Sequence, residues 1–191
     1  MSASTENSIG VLFVCLGNIC RSPAAEGAFA HAVAARSMRS SFRIDSCGTS
    51  AYHIGERANA TSRATARRYG IELTSRARQF TIEDFDRFDY IFAMDGSNYS
   101  EICALARDAA DLERVWKFRA FDPEFRNAMA VGGRVASPGD AKQRNALAPD
   151  VPDPYYGGPE GFEEVQRIML RTSERLLDWL GESHALAAKT K

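Results

Sequence analysis

The chain has little of what several classes of protein require. Lys and Arg together number 24 and Asp and Glu number 25, which gives a net charge of -1. There is therefore no cationic excess of the kind that non-specific nucleic-acid binding needs. No stretch approaches the roughly 20 apolar residues of a membrane-spanning helix. The first ten residues are polar and lack the basic segment of a secretory signal. We therefore expect a cytoplasmic protein that binds neither nucleic acid nor membranes.

Cysteine and histidine are also scarce, with four and three residues respectively. Cys15 and Cys20 are separated by four residues, and Cys47 and Cys103 have no paired spacing. A structural zinc site needs four suitably spaced ligands, so we predict no metal, and no other cofactor is indicated. The even number of cysteines does not indicate disulfides, because the cytoplasm keeps thiols reduced.

Segments with the apolar pattern of a strand alternate along the chain with segments that have the pattern of a helix, and this alternation predicts the fold class. The predicted strands are Ile9–Cys15, Phe42–Ser46, Tyr90–Met94 and Arg114–Phe118. The predicted helices are Ser22–Arg36, Asn59–Tyr69, the single turn Thr81–Phe85, Asn98–Ala106 and Phe162–Leu180. This alternation indicates an α/β protein: a single domain, residues 1–191, with a doubly wound four-stranded parallel sheet and helices on both faces. Two segments lack such a pattern, so we expect an insertion or mobile segment at 119–151 and a frayed tail at 182–191.

Individual residues predict where helices begin and end. Ser22 is a good N-cap and Pro23 is favoured in a first turn, so the first helix is expected to begin there. Gly70 is expected to close the second helix. The last helix carries one apolar stripe, made of Phe162, Val165, Met169, Thr172, Leu176 and Leu180.

The segment after the first strand reads Cys15-Leu16-Gly17-Asn18-Ile19-Cys20-Arg21-Ser22. It lies at the carboxyl end of a strand, where a doubly wound sheet binds its ligands. Gly17 allows unusual backbone conformations. Successive backbone N–H groups can then turn inward around an anion, and the following helix adds its positive end. Because Arg21 can bind two oxygens at once, residues 16–22 are predicted to bind phosphate.

Cys15 is the candidate nucleophile of this loop. At the base of an electropositive cup its thiol is expected to ionise readily. The Ser22 hydroxyl can donate a hydrogen bond to the thiolate and make it a better leaving group. A lone cysteine at the end of a buried strand is more often a small apolar filler, and an arginine near a helix start is more often solvated. The spacing Cys-x5-Arg-Ser directly after a strand favours the catalytic interpretation.

Residues Val14 to Pro23 resemble the loop of the low-molecular-weight protein tyrosine phosphatase family, written V-C-x-G-N-x-C-R-S-P. Two further segments are similar to motifs of that family. Ser46-x-Gly48-Thr49 with Tyr52-His53-x-Gly55 resembles its aromatic wall loop, and Asp153-Pro154-Tyr155-Tyr156 resembles its general-acid loop. The resemblance covers nearly the whole chain outside residues 119–151.

The resemblance implies hydrolysis of phosphotyrosine in protein substrates through a phosphocysteine formed on Cys15. Asp153 would protonate the leaving phenolate and then act as the base toward water. Tyr52 would line one wall of the substrate pocket, and Tyr155 or Tyr156 the other. The resemblance also implies that Asn18 holds the loop through side-chain hydrogen bonds.

At two positions the chain departs from the family. Ser75 stands where a histidine is usual, and Asn59 stands where an aspartate is common. Neither departure concerns a reacting group.

Two alternative functions remain at this level, and Cys20 has two interpretations. A thiol-linked arsenate reductase shares this fold and loop but needs further cysteines, for which only Cys47 and Cys103 are candidates. A non-catalytic phosphotyrosine-binding module would need neither nucleophile nor acid. Cys20 is either a redox partner that protects Cys15 by forming a disulfide, which would make the protein redox-regulated, or a small packing residue.

Overall fold

A four-stranded parallel sheet forms the centre of the protein. The computed structural model describes residues 8–125 and 145–186. The strands are β1 (Ile9–Cys15), β2 (Phe42–Gly48), β3 (Tyr90–Ala93) and β4 (Val115–Lys117). Their order in the sheet is β2-β1-β3-β4, and all neighbouring pairs are parallel. The chain therefore leaves β1 toward one neighbour and later returns on its other side, which opens a crevice beyond the carboxyl end of β1.

Helices cover both faces of the sheet, as predicted. They are α1 (Arg21–Ala35), α2 (Ala60–Arg67), α3 (Asp84–Arg87), α4 (Gly96–Cys103), α5 (Ala109–Glu113) and α6 (Pro159–Ser183), with short 3-10 turns at Arg39–Ser41 and Phe118–Phe121. Alternate residues of β1 enter two different cores because strand side chains point to opposite faces. Phe13 packs in the core that includes α1 and α6, while Leu12 packs in the core that includes α3 and α4. The predicted stripe of α6 is buried along its whole length.

Two details of the predicted elements were wrong. The first helix begins at Arg21 rather than after Ser22, and its N-cap, Cys20, makes no capping hydrogen bond with its side chain. The Ser22 hydroxyl is bonded inside the preceding loop instead, so it does not cap the helix. The predicted turn at 81–85 lies at Asp84–Arg87.

The two segments without a pattern are described only in part. Residues 126–144 lie outside the described residues, and so do residues 187–191 of the tail. Helix α6 continues to Ser183. The insertion or mobile segment and the frayed tail therefore stay predictions. Among the helices that the structure describes, none is both long and apolar enough to cross a membrane.

Candidate active site

The loop between β1 and α1 turns its carbonyl oxygens outward. The carbonyl of Cys15 accepts the N–H of Thr49 at 2.9 Å, and that of Leu16 accepts the N–H of Ser50 at 2.9 Å. The carbonyl of Ile19 accepts the N–H of Asn59 at 2.7 Å. Flanking segments thus hold the loop from outside, so its N–H groups are left for the concave side.

Four of those N–H groups have no acceptor in the described part of the chain. They belong to Leu16, Gly17, Ile19 and Cys20. The N–H of Asn18 points at the sulfur of Cys15, with 3.3 Å between N and Sγ. Unpaired backbone donors beside a helix N-terminus form a favourable site for an anion.

Asn18 holds the loop in this shape, as the family resemblance implies. Its φ of 54° lies in the left-handed region, which costs energy for a residue other than glycine. Its side chain offsets that cost with three hydrogen bonds. The Nδ2 group donates to Ser22 Oγ at 2.8 Å and to Ser46 Oγ at 2.9 Å, and Oδ1 accepts the N–H of Arg78 at 3.0 Å.

The sulfur of Cys15 lies buried at the carboxyl end of β1, on the floor of this loop. Ser22 Oγ is 3.1 Å from Sγ and 3.1 Å from the carbonyl oxygen of Cys47. A serine hydroxyl has one proton, so it donates to one of these two acceptors at a time. If the thiol of Cys15 ionises, the hydrogen bond from Ser22 to Sγ becomes the stronger of the two, because hydrogen bonds to charged groups are stronger.

Arg21 is buried and held by two carboxylates. Its Nη1 donates to Asp95 Oδ2 at 2.6 Å and to the carbonyl of Val151 at 3.3 Å. Its Nη2 donates to Asp153 Oδ2 at 2.8 Å. Burial alone would lower the pKa of Arg21, but the nearby Cys15, Asp153 and Asp95 raise it above its usual value. The arginine therefore stays charged.

One edge of the Arg21 guanidinium remains open. The Nε–H and the second proton of Nη2 have no acceptor among the described residues. These two N–H groups are parallel and match two oxygens of a phosphate. Arg21 is thus oriented by Asp95 from one side and able to bind an anion from the other.

Asp153 reaches this site from a distant part of the sequence. It precedes α6, and its Oδ1 accepts the N–H of Tyr155 at 3.1 Å, which closes a local turn. The structure therefore brings together Cys15, Arg21 and Asp153, the three predicted catalytic residues.

The predicted wall residues lie on exposed loops beside the site. Tyr52 is 78% exposed and Tyr156 is 94% exposed. Tyr155 packs edge-to-face on Tyr156, with 5.0 Å between the ring centroids. The loop that carries Tyr52 is fastened to the phosphate loop, because Ser50 binds the carbonyl of Leu16 through both its N–H and its hydroxyl.

The other cysteines differ in their surroundings. Burial raises the pKa of Cys20 to about 12, although a hydrogen bond with Ser62 acts in the opposite direction. Burial also raises the pKa of Cys47 well above its usual value. Cys103 lies at the end of α4 and is half-buried. Within the described residues no group of His, Cys, Asp or Glu is arranged to hold a metal ion.

Sequence reasoning missed two residues of the site. Asp95 was not among the predicted site residues, yet it lies two residues after the end of β3 and binds Arg21. Its position after a strand next to β1 was the available signal. Glu26 accepts a hydrogen bond from Ser46 at 2.5 Å and so extends the Asn18 network, and no sequence signal marked it.

Together, the crevice beyond β1, the inward N–H groups, the buried cysteine and the buried arginine define an α/β protein that binds a phosphoryl group. The family model described as low molecular weight phosphotyrosine protein phosphatase matches residues 10–138. The chain therefore belongs to the low-molecular-weight phosphotyrosine protein phosphatase family, and it is a phosphatase.

Individual relatives agree over nearly the full length. The low molecular weight phosphotyrosine protein phosphatase of Schizosaccharomyces pombe is 37% identical over 171 residues, which cover 89% of this chain and 96% of that one. A protein tyrosine phosphatase from Entamoeba histolytica, crystallised with Hepes in its active site, has a TM-score of 0.77 at 33% identity and covers 93% of this chain and 99% of its own. A Drosophila arginine phosphatase has a TM-score of 0.71 at 27% identity and covers 89% and 96%.

Proposed function

We propose that the protein hydrolyses phosphotyrosine in protein substrates through a phosphocysteine intermediate on Cys15. The observation that carries the proposal is the loop itself. Four unpaired N–H groups and the open edge of Arg21 surround the anion position, and the sulfur of Cys15 lies on its floor. Such donors stabilise the charge of a phosphoryl group during transfer.

The first step forms a bond between Sγ and phosphorus and breaks the bond between phosphorus and the phenolic oxygen. Cys15 attacks as a thiolate while the loop and Arg21 hold the three other oxygens. Asp153 gives its proton to the leaving oxygen, so the leaving group departs as a neutral phenol. Asp153 accepts only one N–H of Arg21 Nη2, so its carboxyl group lies beside the open edge that binds phosphate, close to where the leaving group would be.

The second step releases phosphate. Water attacks the phosphorus, its proton passes to the carboxylate of Asp153, and the bond between phosphorus and sulfur breaks. Cys15 leaves as a thiolate, which the Ser22 hydroxyl stabilises by turning from the carbonyl of Cys47 to Sγ. The products are inorganic phosphate and the starting enzyme.

Phosphotyrosine is the substrate best supported. The S. pombe relative, at 37% identity, is named for phosphotyrosine, whereas the arginine phosphatase is 27% identical. Tyr52 and Tyr155, exposed on loops flanking the cup, can bind a flat aryl ring between them. The assay therefore includes phosphoarginine as the competing substrate.

The two rivals receive less support from the structure. An arsenate reductase needs further reactive cysteines, for which Cys47 and Cys103 are the candidates. Cys47 is fully buried and its pKa is raised. Cys103 is half-buried at the end of α4, and burial raises its pKa as well. A non-catalytic binding module has no use for Asp153, which nevertheless contacts Arg21 at 2.8 Å.

The test compares wild type with Cys15→Ser on p-nitrophenyl phosphate, a phosphotyrosine peptide and a phosphoarginine peptide. Wild type should hydrolyse the phosphotyrosine peptide faster than the phosphoarginine peptide. We expect the serine variant to lose turnover while it still binds phosphate, since no base within residues 8–125 and 145–186 is in contact with residue 15 to activate a hydroxyl. Cys103→Ser serves as the matched control, because it removes a thiol at the end of α4. Residual activity of Cys15→Ser above about a tenth of wild type is incompatible with the nucleophile role, since such a role makes turnover depend on the thiolate.

A further inference from the structure

Positive charge is concentrated in one part of the chain. Residues 53–79 contain six arginines and only two glutamates, although the whole chain has a net charge of -1. The rest of the chain is therefore acidic. This segment includes α2 and both strands of the small bridge beside the phosphate loop.

Three of the six arginines are already neutralised. Arg67 pairs with Glu72 at 2.8 Å, Arg68 pairs with Glu163, and Arg78 pairs with Asp45 and Asp84 at 2.9 Å. The others are Arg57, Arg63 and Arg76, which have no carboxylate within 4.0 Å among the residues that the structure describes. We call these three residues the arginine patch. Arg57 and Arg76 are exposed, and Arg63 is half-buried.

The arginine patch borders the phosphate loop on the side of Tyr52. Arg57 and Arg76 face each other in an antiparallel bridge. That bridge adjoins Arg78, whose N–H binds Asn18 of the loop. Arg63 lies one helical turn after Asn59, whose N–H donates to Ile19 of the loop. All three therefore lie on segments that are hydrogen-bonded to the phosphate loop, and none of them is among the groups assigned to phosphate.

Two of the three guanidiniums are held in place by backbone oxygens. Arg76 Nη1 donates to the carbonyl of Gly55 at 2.9 Å, and Arg63 Nε donates to the carbonyl of Ala58 at 2.9 Å. The pKa of Glu72 is lowered chiefly by its hydrogen bond from Arg67, and also by the charges of Arg57 and Arg63. The positive fields of Arg57 and Arg63 therefore both reach Glu72.

We propose that the arginine patch binds acidic residues that flank the phosphotyrosine of the protein substrate. This inference rests on the proposed function. When the phosphate occupies the loop, the substrate chain leaves the pocket across its rim and passes the patch. Held guanidiniums bind carboxylates well, since their parallel N–H groups match two oxygens. A broad anionic surface fits poorly, because the rest of the chain is acidic and repels it.

The test uses two phosphotyrosine peptides of equal length, whose flanking residues are glutamate in one and glutamine in the other. We expect kcat/KM to be about three- to thirtyfold higher for the glutamate peptide, since an exposed ion pair contributes modestly and up to three can form. The difference should appear in KM rather than kcat. It should shrink at high salt, which screens exposed charges.

The triple variant Arg57→Gln, Arg63→Gln, Arg76→Gln is expected to bring the ratio of the two kcat/KM values close to one. The matched control is Arg39→Gln, Arg43→Gln, Arg87→Gln. These residues are exposed and lie at the amino ends of β2 and β3, so the control makes the same charge change at the opposite edge of the sheet. It should keep the wild-type ratio.

The outcomes separate this inference from the proposed function. If wild type hydrolyses both peptides equally well, the arginine patch has no such role, while the proposed function stands. If wild type hydrolyses neither peptide nor p-nitrophenyl phosphate, the proposed function itself fails. If the triple variant keeps the peptide ratio but loses binding to phosphatidylserine vesicles, the patch binds a lipid surface and our proposal is wrong.

Discussion

Two aspartates hold the guanidinium of Arg21, and they are not equivalent. Asp95 is 18% exposed and is also the N-cap of α4, since it accepts the N–H of Asn98 at 2.7 Å. Asp153 is 42% exposed and lies on a loop. Asp95 is therefore fixed and orients the arginine, whereas Asp153 is free to leave it. This difference agrees with the proton transfer that we propose for Asp153.

Replacing Asp153 by Asn should harm poor leaving groups most. The amide cannot donate the proton that phenolate needs, whereas p-nitrophenolate departs without one. We expect a loss of about 10²–10⁴ in kcat for phenyl phosphate, and a much smaller loss for p-nitrophenyl phosphate. Steady-state rates for a series of aryl phosphates give the dependence on leaving-group pKa.

The matched control for that series is Asp150→Asn, which removes a carboxylate from the same segment of chain. Its effect should be equal for all esters, since Asp150 binds Gly96 and Lys117 rather than Arg21. A uniform loss with Asp153→Asn as well would make Asp153 a structural residue.

Cys20 gives a second prediction at the scale of single residues. Peroxide is expected to oxidise the Cys15 thiolate to a sulfenic acid, which Cys20 then attacks, forming a disulfide and releasing water. Thiol should restore wild-type activity. Cys20→Ser should be active but recover several-fold less after the same treatment, because over-oxidation is irreversible. Activity assays before and after dithiothreitol measure this.

The high pKa of Cys20, about 12, is expected to limit the rate at which the protective disulfide forms. A thiol attacks through its thiolate, so disulfide formation should accelerate as pH rises. Cys103→Ser is the control and should recover like wild type. If Cys20→Ser recovers equally well, Cys20 is a packing residue.

Among the elements, α2 connects the phosphate loop to the rest of the fold. Its N-cap, Asn59, uses its side chain for the helix and its backbone for the loop. Oδ1 accepts the N–H of Thr61 at 2.8 Å and that of Ser62 at 3.3 Å, while its own N–H donates to Ile19. Replacing the Asn59 side chain therefore removes hydrogen bonds of the helix directly, and it affects the loop only through the position of the Asn59 backbone.

Asn59→Ala should lower the free energy of unfolding by about 0.5–2 kcal/mol, the usual cost of losing an N-cap side chain. Asn59→Asp should keep it, because a carboxylate caps equally well and also suits the helix dipole. Urea titrations of the three proteins measure the difference. If alanine and aspartate variants unfold at the same urea concentration as wild type, the cap contributes nothing.

The predicted elements show where sequence patterns succeed and where they fail. The long periodic helix and the buried strands were found because burial fixes their pattern. The five-residue helix α5 was missed, since it is too short to show a period, although its N-cap Asp108 was a usable signal. Ser22 was misjudged because the same side chain suits a helix cap and a buried loop, and only tertiary contacts decide between them.

For the whole molecule, the motifs predicted the three residues that the proposed mechanism uses, and the structure brings these residues together. The motifs did not predict the residues that support them. Cys15, Arg21 and Asp153 lie in contiguous motifs with fixed spacing. Asp95 and Glu26 act through contacts between elements, which no spacing along the chain encodes. The charge concentration at 53–79 was in the sequence too, but only the ion pairs of the structure separate neutralised arginines from free ones.

Glu26 is expected to make the stability of the molecule depend on pH. Burial raises its pKa above the usual value of 4.5, although hydrogen bonds from Ser46 and Ser75 act in the opposite direction. Asp45 also raises the pKa of Glu26, while Arg78 lowers it. Between 4.5 and the raised value the folded protein keeps a proton that the unfolded chain has lost. Raising pH through this window therefore favours unfolding.

Glu26→Gln should remove this decrease in stability with rising pH, because the amide does not titrate. Its oxygen can still accept the hydrogen bond from Ser46. We expect the free energy of unfolding of the variant, relative to wild type, to increase as pH rises from 5 to 8. Urea titrations at each pH measure it. Glu83→Gln is the control: the pKa of Glu83 is lowered, chiefly by a hydrogen bond with Thr81, so both states are ionised above pH 5 and its difference stays constant. If the free energy of unfolding of Glu26→Gln relative to wild type also stays constant with pH, Glu26 is ionised equally in the folded and unfolded states. The prediction that this carboxylate couples folding to pH would then be wrong.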